Sequence, residues 1–235
     1  MAPSEPTSSS RGGFLTHALL VAAKDLRVEW RSREIVYTMV FFAVLVVVIF
    51  SFAFARRGQP MHEVAGGILW VVVAFAGTLG LGRFFDRERE TQQALLLSPV
   101  SRAAIYVGKL LGMLIFICAT EAVVLPMLML LFNLHATHVG LLAGILTLGS
   151  IGFSAVGSLF GASLMQSRSR DVLLGILLFP IVTPVIIAGA KGTAALLAND
   201  PDPAGAVVWL KLLAVFDLVF VSLSLWAFEP LTRNE

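Results

Sequence analysis

Two carboxylates stand inside long apolar runs: Glu121 in C-A-T-E-A-V-V (118–124) and Asp217 in A-V-F-D-L-V-F (214–220). A charged side chain at the centre of a membrane helix costs about 2.5–3.5 kcal/mol on insertion scales, so such a residue must face a bundle interior, a partner or water. Glu121 and Asp217 are therefore candidates for a substrate or proton pathway, for gating, or for contact with a second subunit. The alternative for each is a structural hydrogen bond with the acid protonated. Two histidines, His135 and His138, lie three apart in N-L-H-A-T-H (133–138) and could share a helical face for haem or metal ligation. A pair without a third ligand is weak support for a metal site, and the plainer reading is a solvated loop. Cys118 is the single cysteine, so an intrachain disulfide is excluded.

The residues for nucleotide chemistry are missing. A phosphate-cradling loop needs G-x-x-x-x-G-K-[ST]. Gly108-Lys109 is the one Gly-Lys pair, with Ala103 in place of the first glycine and Leu110 in place of the hydroxyl. There is no dinucleotide fingerprint, no G-x-S-x-G and no H-E-x-x-H. The chain is not expected to be an enzyme by itself; no catalytic residue, metal site or nucleic-acid partner is assigned.

The elements that carry these residues follow from composition. Hydrophobic residues make up 57% of the 235 and charged residues only 14%, where a soluble domain carries about 25%. Mean hydropathy is +0.88. Six apolar runs are each near or above the length that crosses a bilayer: Ile35–Ala55, Val64–Phe85, Ala104–Leu131, Val139–Met165, Val172–Ala190 and Val207–Phe228. Ala53-Phe54-Ala55 mimics a signal-cleavage site, but the preceding run is too long for a signal peptide and reads as a retained helix. The fold class is all-α membrane. Pro180 and Pro184 interrupt the fifth run, where each removes a backbone donor and predicts a kink, break or hinge.

Basic residues set the orientation. With the N-terminus inside, 13 of 17 Lys and Arg fall on inner segments, and only Arg56, Arg57, Lys191 and Lys211 lie outside. The positive-inside rule places both termini in the cytoplasm. Residues 1–13 read as a polar, disordered tail. Residues 14–33 follow, with Phe14, Leu15, Ala18, Leu19, Ala22, Leu26 and Trp30 near a 3.6-residue period and Lys24, Arg27, Arg31 and Arg33 towards the end. This predicts an amphipathic helix in the headgroup plane, anchored by Trp30.

The densest charge is in R-F-F-D-R-E-R-E-T-Q-Q-A-L-L-L-S-P, residues 83–99, on the cytoplasmic side between spans two and three. Asp86 can begin a helix. Asp86 with Arg89, and Arg87 with Glu90, are at helix-pairing distance, and Glu88 adds a further acid. The segment turns apolar at Leu95-Leu96-Leu97 and stops at Ser98-Pro99, because a residue before proline avoids the α region. Too short to be stable alone, and leucine-tipped, the helix over 86–99 needs a docking surface. In a membrane protein with no ATP site, that surface can belong to a soluble ATPase.

Span four is lined by Gly149, Gly152, Gly157 and Gly161, with Ser150, Ser154 and Ser158. Small residues at this spacing let helix backbones approach closely, within the subunit or against a copy of it.

The acidic-basic helix, the following L-L-L-S-P and then R-x-x-I-Y-x-x-K-L at 102–110 resemble the coupling segment of ABC-2-type export permeases. More narrowly, 83–99, L-T-L-G-S-I-G-F (146–153) and R-S-R-D-V-L-L-G-I-L-L-F-P-I-V-T-P (168–184) resemble the B-subunit family of the cytochrome c maturation haem exporter. The resemblance covers roughly residues 14–228. Thr91-Gln92-Gln93 departs from it, where a glycine is expected. It implies a six-span ABC-2-type permease domain over 14–235, with an N-terminal elbow helix and a cytoplasmic coupling helix at about 86–99, in a bacterial inner membrane. It also implies two permease copies, a separate ATPase that binds the ATP, a haem-handling membrane subunit and a periplasmic haem chaperone. Haem is then the candidate substrate, and this chain binds no cofactor alone. Other readings stay open: export of a lipid, polysaccharide or drug, proton-coupled transport through Glu121 and Asp217, or a scaffold for a cytoplasmic partner.

Overall fold

The computed structural model describes residues 10–54, 61–89, 102–164, 167 and 169–231. Among these, the regular structure is entirely helical: α1 (Ser10–Ser32), α2 (Glu34–Phe54), α3 (Met61–Arg89), α4 (Arg102–Phe132), α5 (Val139–Ser163), α6 (Arg170–Leu197) and α7 (Pro203–Leu231). Helices α2 to α7 are each long and apolar enough to cross a membrane. A helix satisfies its own backbone donors and acceptors, which lipid cannot do. The six run alternately up and down. One end of the bundle, the basic end, collects α1, the start of α2, the end of α3, and the starts of α4 and α6.

The observed elements differ from the sequence expectations in three places. First, α1 begins at Ser10, inside the stretch expected to be tail. Second, α6 runs unbroken through Pro180 and Pro184. Each proline removes only one ladder bond and stands on the exposed face of the helix, while Leu178, Val182 and Val185 on the opposite face are buried against the bundle, so the helix resumes on both sides. Third, α3 continues to Arg89, so Asp86 lies within the second span's helix and does not begin a new one.

Helix α1 also divides its apolar face. Ala18 and Ala22 are buried, with Val21 and the Ala18 carbonyl so close to Gly108 on α4 that a Cβ there would sit 2.7–2.8 Å away. Leu19, Leu20 and Trp30 face outward, Trp30 being 81% exposed. The turn into α2 is tightly set. Arg33 has φ of 56°, a left-handed value that a non-glycine adopts only at some cost. The buried Glu29 carboxylate accepts from the backbone N–H of Ile35 at 2.7 Å and of Val36 at 3.0 Å, capping α2.

The core is centred on α3, α5 and α6. Trp70 is fully buried, with its indole in the space that a Cβ at either Gly149 (α5) or Gly189 (α6) would need. Its Nε1 donates to Thr193 Oγ1 at 3.1 Å. The glycines of α5 open one seam onto α3, since Gly157 lies against Leu81 and Gly161 against Phe85. Gly152 instead faces Asp217 and Phe216 on α7. These small residues pack helices of the same chain.

Candidate functional site

Four consecutive residues at the basic end of α3, Arg83-Phe84-Phe85-Asp86, reach four different helices. About 100° separates successive residues on a helix, so a run of four surveys the whole circumference. Arg83 donates to Glu34 at the start of α2, a pair about half exposed on each side. Phe84 lies under Lys109 of α4, with Nζ 4.7 Å from the ring centroid, and meets Phe116 edge-on at 5.8 Å. Phe85 packs on Gly161 of α5. Its ring lies 5.9 Å from the guanidinium carbon of Arg170 on α6. Asp86 accepts from Arg170 Nη1 at 2.6 Å. The two rings meet at right angles, 5.4 Å apart.

Two buried cations complete this collar. Arg170, the first residue of α6, is only 4% exposed. Besides Asp86, its Nη2 donates to the carbonyls of Leu81 at 3.2 Å and Gly82 at 2.7 Å. Its Nε has no acceptor among the described residues. Lys109, equally buried, donates to Asp25 on α1 at 2.7 Å, and Lys24 also reaches Asp25, at 3.1 Å. A buried charge needs both a counter-charge and further hydrogen bonds. The aromatic faces of Phe84 and Phe85 add a cation–π contribution to each. The arrangement fastens α1, α2, α4, α5 and α6 to the last turns of α3. The carboxylates of Asp25, Glu34 and Asp86 are each paired with a cation, so the arrangement ties helices together.

Of the expected docking residues, Asp86 is in the collar. Arg87, Glu88 and Arg89 continue α3. Glu90, Leu95, Leu96, Leu97, Ser98 and Pro99, and with them the proposed helix over the rest of 86–99, lie outside the described residues.

The two intramembrane carboxylates do not form one site. Glu121 on α4 is buried and accepts from Ser150 Oγ at 2.8 Å. Asp217 on α7 is 7% exposed, and among the described residues neither carboxylate oxygen has a hydrogen-bond partner. A Cβ on Gly152 would lie 2.7 Å from Asp217 Oδ1. Ser150 and Gly152 are two residues apart, hence about 200° apart around α5, so α5 stands between the two carboxyls. His135 and His138 sit in the turn between α4 and α5, off any helix, so they share no helical face. Among the described residues, no three His, Cys, Asp or Glu side chains are grouped to hold a metal.

Lys109 and Arg170 are the residues that sequence reasoning missed. Both registered as inside charges and as part of a resemblance, and Lys109 also as the lysine of the one Gly-Lys pair. The available signal was position: Lys109 stands two turns into an apolar helix, and Arg170 directly abuts one, where a cation needs a partner.

The family model described as "CcmB protein" matches residues 16–233, nearly the full chain. The chain belongs to the CcmB protein family. Relatives of this CcmB-family chain include the Heme exporter protein B of Pseudomonas aeruginosa, 27% identical over 211 residues that cover 88% of this chain and 94% of the relative. Those of Rhodobacter capsulatus (29% over 172 residues, 72% and 78%) and Paracoccus denitrificans (27% over 203 residues, 86% and 92%) are similar along most of their length. With six helices fit to span a bilayer, this CcmB-family chain is a multi-pass membrane protein.

Proposed function

We propose that this chain is the membrane permease subunit of an ATP-driven transporter that handles haem for cytochrome c maturation. A separate ATPase docks on residues 86–99, and its ATP-driven motion reaches the bundle through Arg83-Phe84-Phe85-Asp86. The observation that carries the reading is the collar itself: the three residues before the docking segment and its first residue, Asp86, are gripped by four other helices. A displacement there moves most of the bundle, as a receiver of mechanical work requires. The relatives are known as haem exporter proteins, and they supply haem as the substrate class. The basic end then faces the cytoplasm of a bacterial inner membrane, in keeping with 13 of 17 Lys and Arg on that side. A second copy of the chain, a haem-handling membrane subunit and a periplasmic haem chaperone complete the assembly.

Proton-coupled transport through Glu121 and Asp217 is less favoured, because α5 separates the two carboxyls and leaves no direct relay between them.

The test is purification from native membranes, with identification of co-purifying proteins and a haem absorbance spectrum. An ATPase is expected with the wild type and is expected to be lost with Leu95→Glu combined with Leu96→Glu. Retention of the ATPase by that variant would sink the docking assignment.

A further inference from the structure

Arg170 and Lys109 are the buried cations among the described residues, and Arg170 differs from Lys109 in what it holds. It opens α6 yet is almost wholly buried, and its bonds all run to one short stretch of another helix: Leu81 O, Gly82 O and Asp86 Oδ1. The guanidinium also lies beside Phe85 of that stretch. Two of the three acceptors are main-chain carbonyls, so Arg170 holds the backbone of α3 and not only a side chain that could rotate away. The planar fork of arginine can serve three acceptors at fixed angles; a lysine, as a point charge on a flexible stem, cannot reproduce that geometry. The grip comes immediately before α3 runs into the segment at 90–101. It also comes at the head of the helix that carries Pro180 and Pro184, where the backbone ladder is weakest.

We propose that Arg170 is the positioning residue that clasps the basic end of α3 to α6, so that a displacement of the segment following α3 is delivered to the proline-bearing helix. The proposal rests on the reading of 86–99 as an ATPase-docking segment, but the clasp itself can be measured without any ATPase.

Gly82 and Asp171 provide that measurement. A Cβ on Gly82 would have Asp171 Oδ1 as its near neighbour, at 3.9 Å, so Gly82→Cys with Asp171→Cys, in a Cys118→Ala background, reports the α3–α6 approach by the rate at which a short bifunctional thiol reagent bridges the pair. In native membranes, Arg170→Gln and Arg170→Lys are each expected to slow this cross-link several-fold while leaving the membrane-inserted amount near wild type. In the assembled complex, either variant should keep its ATPase but lower cytochrome c maturation about tenfold or more.

An unchanged cross-linking rate in both variants overturns the clasp. So does full maturation by Arg170→Gln. If the wild-type chain brings down no ATPase while cross-linking still depends on Arg170, the clasp stands and the docking reading fails. If Arg170→Gln alone is poorly inserted, Arg170→Lys, which keeps the charge, carries the comparison.

Discussion

Lys109 Nζ donates to Asp25 Oδ2 at 2.7 Å, joining α4 to α1 through an ion pair that is nearly closed to solvent on both sides. Removing Lys109 takes away the buried partner of Asp25 and leaves it only the half-exposed Lys24 at 3.1 Å, so the loss should fall below the ~3–5 kcal/mol of a fully broken buried pair. Lys109→Met is therefore expected to lower the thermal midpoint of the detergent-purified protein markedly. The double variant with Asp25→Leu should recover most of the loss, since a matched apolar pair carries no stranded charge. Equal midpoints for Lys109→Met and wild type would contradict the burial.

The packing of Trp70 predicts a steric coupling. Gly149→Ala puts a methyl group where the indole lies, and overpacking a close-packed core costs about 1–3 kcal/mol. Trp70→Phe loses area and the Nε1 bond to Thr193, so it destabilises on its own. Combined, the two changes should be less harmful than their sum, because the smaller ring vacates the space the methyl needs. A double-mutant cycle on unfolding midpoints checks this, and strict additivity would argue against the contact.

Glu121 and Asp217 should respond with opposite sign. Glu121→Leu strands the Ser150 hydroxyl and loses its hydrogen bond, a loss of roughly 1 kcal/mol. Glu121→Gln keeps an acceptor and should be close to neutral. Asp217 has no hydrogen-bond partner among the described residues, so Asp217→Leu removes an unsatisfied buried group and should stabilise by about 1–3 kcal/mol. Thermal midpoints of the three variants decide the matter. A gain in stability accompanied by loss of maturation would mark Asp217 as retained for function and not for folding.

The α1–α2 junction gives a local prediction. Glu29→Ala removes the acceptor for two backbone donors at the start of α2, and loss of such a cap costs about 1–2 kcal/mol. Amide exchange should rise at Ile35 and Val36 and stay unchanged in the middle of α3. Uniform exchange across the protein would indicate that Glu29 does not act as a cap.

The span count was legible in the sequence alone because a bilayer demands it. About 20 apolar residues must form a helix, since no other partner exists for the backbone. Six such helices and the all-α class follow from that one constraint, and the small-residue seam of α5 was legible separately from the spacing of its glycines. Helix α1 was legible for a related reason, through its 3.6-residue period. Its division into a face on α4 and an exposed face was not, because periodicity reports an apolar side without saying what covers it.

Partnership was decided by tertiary structure. Arg83, Asp86, Lys109 and Arg170 read along the chain as inside charges or as neighbours on one short helix. In space, Arg83 belongs with Glu34, Asp86 with Arg170, and Lys109 with Asp25, across separations of 49 to 84 residues. Glu121 and Asp217 invited pairing as two like oddities in greasy runs, and α5 lies between them. Composition and period fix which stretches become helices, because that balance is struck locally between backbone and lipid. Which charge meets which depends on how those helices cross, and only the packed bundle specifies that.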